Sequence, residues 1–545
     1  MEFKFSKAFL FSMLNLVVIG GMLAGCAANT PVAPTIAAKV EPTATSAPTA
    51  IPTEAPKPVA KYVFLFIGDG MGVAQRNAAE IYLAATKKAD ARPEDTKLIM
   101  NTLPAQGMTT TYDLSSIITD SASAGTALAT GHKTISGTIN MDPAFKEKYT
   151  TIAEIAKTKG MKVGIVSNVS LDHATPASFY SHVSSRSKYY DIAVEMGKSN
   201  FDYFAGGGFL EPKGKEKDKE DVLDLAKANG YTVVNSRENF DKLAAGAGKT
   251  IFVNEILQDS QSLNYDMDRP NGDVSLAELT KKGIDLLDNP NGFFFMVEGG
   301  KIDWACHAND AAASIKDTIA LDAAIAEALK FYENHKEETL IIVTGDHETG
   351  GLTIGFAGTG YSNYINKIDS QKGSYVAFNS KFNEFKKANE KAEFEDIIPL
   401  IKEYYGLEVI TSDERAQLSD AVKKAGEKEA TDADKAAGKE AKAKLSVSFT
   451  ESELQTVKDA FSASLLSSDD RKHIVDVDLL YGGYEPLTIK LTTILDHKAG
   501  LGWTSYSHTG VPIQTSAIGF GSEQFNGYYD NTNIYEKMMT LAGLE

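Results

Sequence analysis

The stretch VEGGKIDWACHAND, at residues 297–310, follows the apolar run GFFFMV at residues 292–297. An apolar run of this length predicts a strand buried on both faces, as in parallel sheets. Glu298 comes where this strand ends, and Asp303 and His307 are four residues apart, so a following helix would present both on one face. A carboxylate and an imidazole on one face are half of a typical zinc site, although the same spacing also occurs in structural helices.

Two further apolar runs end in candidate metal ligands. KYVFLFI at residues 61–67 runs into GDGMG, which contains Asp69, and TLIIVT at residues 339–344 is followed by Asp346 and His347. Because open α/β sheets present functional side chains at the carboxyl ends of their strands, these residues are expected to meet. GDGMG lacks the lysine and the spacing of nucleotide-binding loops, so a metal carboxylate is the better interpretation of Asp69.

The segment TDSASAGTA, at residues 119–127, places Ser121 at the start of a predicted helix of small residues. Backbone N–H groups and the helix dipole favour an anion there, so a serine hydroxyl could attack a phosphate held beside it. The alternative is an ordinary serine that caps the helix.

Three more segments supply polar side chains near strands. The predicted strand MKVGIVS at residues 161–167 leads into LDHATPA, which contains His173 and Thr175, and Arg186 follows eleven residues later. A guanidinium can bind two phosphate oxygens, although a lone arginine more commonly forms a surface ion pair. WTSYSHTG brings His508 just before the predicted strand at residues 513–520.

Composition limits the class of function. The chain has 545 residues, of which 43% are hydrophobic and 23% charged, and a formal net charge of −18. This suits a large globular protein and argues against a nucleic-acid-binding surface. An anionic substrate is still compatible, because bound metal ions can reverse the local field.

The first 26 residues indicate export. Lys4 and Lys7 precede an apolar segment that ends in Leu-Ala-Gly-Cys26, which resembles the cleavage box of bacterial lipoproteins. Cys26 would then carry lipid and anchor the exported chain at the bacterial membrane, with an uncleaved membrane anchor as the alternative. Residues 27–60 are rich in Pro, Thr and Ala and predict an extended tether. Cys306 is left without an intramolecular disulfide partner; we expect it to be buried and to face away from the ligands, with a ligand role as the alternative.

The predicted fold is α/β, a central and mostly parallel sheet with helices on both faces. Composition becomes rich in Lys and Glu at residues 362–486, which predicts a helical insert or cap. The expected catalytic domain therefore comprises residues 61–361 and 487–545.

Six motifs, GDGMG, TDSA, DHATPA, VEGGKIDWACH, GDHE and SHTG, occur in the order typical of alkaline phosphatases. From residue 61 to residue 545, apart from the insert, the chain resembles that family, in a bacterial lipoprotein form. The resemblance implies two zinc ions and a third site that holds magnesium. The implied ligands are Asp303, His307 and His508 for one zinc, Asp69, Asp346 and His347 for the other, and Asp69, Thr175 and Glu298 for magnesium.

The resemblance also implies a reaction. Ser121 would attack the phosphorus of a phosphate monoester in line and form a phosphoserine, while Arg186 binds the phosphate. His173 and Trp304 replace an aspartate and a lysine of the best-known bacterial members. These changes predict less certain magnesium binding and weaker inhibition by phosphate. Homodimers are common in the family, and a homodimer is possible here.

Other functions fit parts of the pattern. A phosphodiesterase or nucleotide pyrophosphatase of the same superfamily would lack the third-site residues Thr175 and Glu298. A sulfatase would need a modification motif that is absent around Ser121. A metal-loaded surface lipoprotein without catalysis would need neither Ser121 nor Arg186.

Overall fold

A computed structural model of the protein describes residues 58–88 and 92–545. The predicted signal segment 1–26 with Cys26, and the predicted tether up to residue 57, lie outside the described residues. Within the described ranges, no helix has both the length and the apolar character needed to cross a membrane.

The described residues contain fourteen strands and twenty α-helices. The strands are β1 (Tyr62–Gly68), β2 (Ala105–Thr110), β3 (Lys162–Ser167), β4 (Tyr203–Gly206), β5 (Thr232–Val234), β6 (Thr250–Val253), β7 (Phe293–Gly299), β8 (Thr339–Gly345), β9 (Glu348–Thr349), β10 (Thr353–Ile354), β11 (Leu501–Gly502), β12 (His508–Thr509), β13 (Ile513–Gly519) and β14 (Gly527–Asp530). The helices are α1 (Val73–Lys87), α2 (Ile99–Thr102), α3 (Ser121–Thr130), α4 (Ile152–Thr158), α5 (Ala174–Ala177), α6 (Tyr189–Lys198), α7 (Val222–Ala228), α8 (Arg237–Lys242), α9 (Leu276–Leu287), α10 (Lys301–His307), α11 (Ala311–Tyr332), α12 (Tyr375–Ala388), α13 (Phe394–Tyr405), α14 (Ser412–Ala425), α15 (Asp432–Val447), α16 (Glu451–Leu465), α17 (Ser468–Arg471), α18 (Val477–Tyr481), α19 (Pro486–Ala499) and α20 (Thr532–Leu541).

Ten strands form one sheet, in the order β14-β2-β13-β8-β1-β7-β3-β4-β6-β5. Among them only β13 runs antiparallel to its neighbours, β2 and β8. The predicted mostly parallel α/β sheet is therefore confirmed. Strand β1 lies between β7 and β8 with Gly68 paired to both Gly299 and Gly345, so the carboxyl ends of the three strands are level.

Helices cover both faces of the sheet because its central strands are apolar on both sides. In β1, Val63 and Leu65 belong to one buried cluster, whereas Phe64 and Phe66 belong to a second cluster. Successive side chains of a strand point to opposite faces, so an uninterrupted apolar run needs a helical layer on each. This explains why short runs such as FLFI are sufficient to predict the interior of the sheet.

The segment 362–486 contains α12–α18 and no strand. It builds its own apolar cluster from Phe378, Phe382 and Phe461, and this cluster continues into α19 through Leu487 and Leu491. The helical character of the segment agrees with the predicted insert, whereas its boundaries at residues 361 and 487 stay a prediction. Because α19 is shared, the insert is attached to the sheet domain by a packed helix.

Candidate active site

Three predicted ligands lie side by side because their strands are adjacent. Asp69 follows β1 directly, Asp346 follows β8, and Glu298 is near the end of β7. All three side chains are buried. The level register of β1, β7 and β8 therefore explains how residues more than 200 positions apart reach one place.

The set Asp69, Asp346 and His347 forms a compact group whose ligand atoms lie within 4.8 Å of one another. His347 Nε2 is 3.4 Å from Asp69 Oδ1 and 3.3 Å from Asp346 Oδ2. Two carboxylates and an imidazole at these distances suit one divalent cation such as zinc. This is the group predicted from the sequence for the second zinc.

The set Asp303, His307 and His508 is also brought together. His307 Nε2 lies 3.4 Å from Asp303 Oδ2 and 3.1 Å from His508 Nε2, and His508 Nε2 is 3.6 Å from Asp303 Oδ1. His347 stacks on His508 with 3.6 Å between ring centroids and completes a further compact group with Asp303 and His508. The two predicted zinc groups are therefore immediate neighbours.

Backbone carbonyls fix the orientation of two imidazoles. His307 Nδ1 is 2.6 Å from the Tyr506 carbonyl oxygen, and His508 Nδ1 is 2.8 Å from that of Thr119. A carbonyl only accepts, so each Nδ1 must carry a proton, which leaves Nε2 of the neutral ring free to bind a metal. Burial lowers the pKa of His508 and, more strongly, that of His347, so both rings favour the neutral form that coordinates metals.

The third group contains Asp69, His173 and Glu298, whose ligand atoms again lie within 4.8 Å of one another. Thr175 Oγ1 donates to Asp69 Oδ2 at 3.4 Å, and Ser167 Oγ donates to Glu298 Oε2 at 2.5 Å. The structure thus places His173 beside the predicted third site, a position that the sequence left open. Ser167 was missed, because a serine that ends a buried strand carries no signal of its own.

Three of these carboxylates, those of Asp69, Asp346 and Glu298, have too little positive charge around them. Burial and then the charge of Asp346 raise the pKa of Asp69 well above its ordinary range, and burial and then Asp303 do the same for Asp346. Burial raises the pKa of Glu298 to about 7. Asp69 Oδ1, Asp346 Oδ2 and Glu298 Oε1 are buried without a hydrogen-bond partner. Divalent cations would satisfy these oxygens and remove the repulsion, so the residues present fit bound metal ions.

Ser121 lies at the edge of this cluster. It is the first residue of α3, while Asp120 caps the helix by accepting from the Ser123 backbone N–H. Ser121 Oγ is 3.2 Å from His347 Nε2. Its hydroxyl is therefore next to the second zinc group and at the positive end of a ten-residue helix.

Arg186 is held next to Ser121 by the same capping residue. Its Nη1 donates to Asp120 Oδ2 at 3.0 Å, and its Nη2 is 3.2 Å from His173 Nε2. Burial would raise the pKa of Asp120, but Arg186 and hydrogen bonds from Ser123 lower it to about 2. Sequence reasoning missed Asp120, although its place before a candidate nucleophile at a helix start could have indicated this role.

The family model for alkaline phosphatase matches residues 60–544. The chain belongs to the alkaline phosphatase family. The predicted membership, and with it the prediction of a phosphoric monoester hydrolase, is confirmed. Alkaline phosphatase 3 of Bacillus subtilis is 31% identical over 486 residues, which are 87% of this chain and 87% of that protein.

Solved alkaline phosphatases have the same fold. The cold-active alkaline phosphatase of a psychrophilic Shewanella species is 28% identical, covers 88% of this chain and 99% of its own, and superposes with a TM-score of 0.63. The Thermus thermophilus alkaline phosphatase superposes with a TM-score of 0.67 over 90% of this chain and 93% of its own; at 22% identity it supports the fold alone.

A cavity of about 360 Å³ lies at the candidate active site of this alkaline phosphatase. The cavity is lined by five of the predicted site residues, Ser121, Arg186, Asp303, His307 and His508. His173 and Trp304, the two departures from the best-known pattern, also line it, and their rings meet edge to face with centroids 5.7 Å apart. Sequence reasoning did not single out the rest of the lining, which consists of Asp259, Ser260, Tyr375 and Tyr484.

Cys306 is buried and belongs to none of the compact ligand groups of the described residues. Its Sγ contacts Ser314 Oγ at 3.2 Å and Gln75 Nε2 at 3.7 Å. Burial raises the pKa of the thiol well above its ordinary value. These contacts agree with a small structural residue rather than a ligand.

Proposed function

We propose that this alkaline phosphatase hydrolyses phosphate monoesters by in-line attack of Ser121 through a phosphoserine. The observation that carries the proposal is the position of the Ser121 hydroxyl, 3.2 Å from His347 Nε2, beside buried carboxylates that lack counter-charge. Arg186 lines the same cavity and supplies the positive charge that a phosphate needs.

The proposed metal sites follow the three groups of side chains. The ligands are Asp303, His307 and His508 for one zinc, Asp69, Asp346 and His347 for the second, and Asp69, Thr175 and Glu298 for magnesium. Mixed nitrogen and oxygen donors suit zinc, whereas an all-oxygen set suits magnesium. His173 adjoins the third set with a nitrogen donor, and the metal content of the purified protein decides whether magnesium or a transition metal occupies this site. When bound, these cations would lower the pKa of the serine hydroxyl and stabilise the attacking and leaving oxygens.

The chain's own residues bind and orient the substrate. In the first half of the reaction, Ser121 Oγ bonds to phosphorus while the bond from phosphorus to the alcohol oxygen breaks. In the second half, a water oxygen bonds to phosphorus and Ser121 Oγ leaves, which releases phosphate. Arg186, fixed by Asp120, donates to the equatorial oxygens in both halves, and the positive end of the α3 dipole lies at Ser121.

We further propose export and a lipid anchor on Cys26 at the bacterial membrane, on the strength of the Leu-Ala-Gly-Cys26 segment, which lies outside the described residues. Labelling of the expressed protein with a radioactive fatty acid tests this. Label that is lost in Cys26→Ser supports the anchor, and label that is equal in both variants contradicts it. The possible homodimer stays a prediction that the molecular mass in solution decides.

A comparison of p-nitrophenyl phosphate with bis-p-nitrophenyl phosphate tests the proposed reaction. The closeness of Thr175 to Asp69 favours a monoesterase over the phosphodiesterase alternative. We expect the parent protein to hydrolyse the monoester, and we expect this activity to be lost after chelation and in Ser121→Ala. Faster hydrolysis of the diester would contradict the proposal, and so would unchanged activity in Ser121→Ala. If the folded, metal-loaded protein hydrolysed neither ester, the non-catalytic surface lipoprotein would be the remaining interpretation.

A further inference from the structure

The helical insert reaches into the active-site cavity. Tyr375 is the first residue of α12, and Tyr484 lies just before α19, at the two ends of the segment that carries no candidate ligand. Both tyrosines line the cavity that contains Ser121 and Arg186. The insert therefore contributes side chains to the lining of the cavity and does not merely pack over the sheet domain.

These tyrosines and Trp304 line one cavity, and we call the three residues the aromatic wall (Trp304, Tyr375 and Tyr484). The rings of Tyr375 and Tyr484 meet edge to face with centroids 5.8 Å apart. Trp304 and Tyr484 pack against the apolar cluster to which Tyr375 belongs. Aromatic rings in this arrangement offer apolar faces and edges to a further ring.

The aromatic wall is held rigidly from behind. Tyr265 is fully buried and its hydroxyl donates to Tyr375 at 3.4 Å. The Lys301 ammonium lies 3.8 Å from the Tyr265 ring centroid and 5.0 Å from that of Trp304. Lys301 is itself paired to Asp259 at 2.7 Å, so its charge is compensated. A wall fixed in this way loses little conformational entropy when it binds a ligand.

We propose that the aromatic wall binds the leaving alcohol and that the enzyme prefers monoesters whose alcohol carries a planar ring. The inference rests on the proposed function, because a phosphoryl group beside Ser121 and Arg186 leaves the wall side of the cavity to the alcohol. About 360 Å³ is near the small end of ligand pockets, and it accommodates phosphate with one ring system.

Two polar groups of the aromatic wall are available to such an alcohol. Within the described residues, the Trp304 indole N–H and the Tyr484 hydroxyl make no hydrogen bond. Both can donate to an acceptor on the ring of the substrate. The wall thus combines apolar faces with a few polar groups, as is usual for sites that bind planar organic molecules.

Benzyl phosphate and ethyl phosphate test the proposal, because they release primary alcohols of similar acidity and differ only in that a phenyl ring replaces a methyl group. We expect the parent enzyme to have the higher kcat/KM for benzyl phosphate. Tyr484→Ala should lower the benzyl-to-ethyl ratio by about two- to tenfold, the size of one aromatic contact. Tyr484→Phe should keep the ratio, since the ring remains. Tyr404→Ala, which removes an insert tyrosine outside the cavity, is the matched control and should keep the ratio as well.

The outcomes separate the two proposals. A benzyl-to-ethyl ratio that is the same in Tyr484→Ala and the parent overturns the aromatic wall but leaves the phosphatase intact. Failure of the parent to hydrolyse either ester overturns the proposed function and the inference with it. If Tyr484→Ala folds poorly, competitive inhibition of the parent decides: tighter binding of benzylphosphonate than of methylphosphonate supports the wall, and equal binding contradicts it.

Discussion

Glu348 joins β9, which begins directly after His347, to β12, which begins at His508, and its replacement by glutamine should loosen these proposed zinc ligands. Strand β12 pairs with β9, so that Thr509 is opposite Glu348 and His508 is opposite Thr349. Glu348 Oε1 accepts from Gln75 Nε2 at 2.7 Å and from the Leu352 backbone N–H at 3.3 Å. Its Oε2 accepts from the Gly351 backbone N–H at 3.2 Å and from the Thr509 hydroxyl.

The magnitude follows from what a glutamine can still accept. In Glu348→Gln the amide oxygen can replace Oε1, but the amide NH₂ then faces two donors. The Thr509 hydroxyl can turn and accept, whereas the Gly351 N–H cannot. An unsatisfied buried donor costs about 1–3 kcal/mol, and because the Gly351 N–H is only partly buried we expect a loss of about 1 kcal/mol in the free energy of unfolding. Because the substitution acts on residues next to proposed ligands, we also expect about a tenfold weaker affinity for zinc.

Urea unfolding of the metal-free protein and zinc titration of its activity measure both effects. Glu338→Gln is the matched control, because Glu338 makes a half-exposed ion pair with Lys61. Such a pair is worth at most about 1 kcal/mol, and its loss should leave the zinc affinity unchanged. Equal stability and equal zinc affinity in Glu348→Gln and Glu338→Gln would refute the reasoning.

Three further predictions concern charges around the cavity. Trp304→Lys adds an ammonium to the cavity and should tighten inhibition by phosphate severalfold, because an attraction of about 1 kcal/mol between the ammonium and the phosphate remains after solvent screening. Unchanged or weaker inhibition in steady-state assays would contradict this prediction. Lys301→Met removes the cation behind Trp304 and the ion pair with Asp259, and should lower the free energy of unfolding in urea by about 1–3 kcal/mol. The loss is modest because the Asp259 carboxylate can regain water. An unchanged free energy of unfolding would show that the ion pair makes no net contribution to stability. Burial raises the pKa of Asp310 to about 6, above the value near 3.9 in the unfolded chain. The folded protein therefore holds the Asp310 proton more tightly, and the stability that this proton contributes is present at low pH and is lost as pH rises through 6. From pH 5 to pH 7 the parent should therefore lose about 1 kcal/mol of unfolding free energy relative to Asp310→Asn, and parallel pH profiles would contradict this.

The central strands of the sheet, from β13 to β3, could be predicted because buried strands leave a clear apolar pattern. The predicted strands at 61–67, 161–167 and 339–344 correspond to β1, β3 and β8. Local patterns were sufficient for these elements because they depend on neighbours in sequence.

The rest of the site depends on contacts between distant segments. The pairing of β9 with β12 involves two residues from each strand, too few to give a periodic pattern. Tyr375 and Tyr484 occur in a segment with no ligand-like motif, and only the packing of the insert on α19 brings them to the cavity. Asp120 was visible in the TDSA motif, but its hydrogen bond to Arg186 joins residues 66 positions apart.

Covalent labelling with phosphorus-32 tests most directly whether bound cations activate the Ser121 hydroxyl. The purified protein is incubated with labelled phosphate at acidic pH, where a phosphoserine persists, and then digested to locate the label. We expect label on the peptide that contains Ser121, and we expect it to be lost after chelation, restored by zinc and absent from Ser121→Ala. Label on another peptide, or label at Ser121 that is unaffected by complete removal of metal, would contradict it.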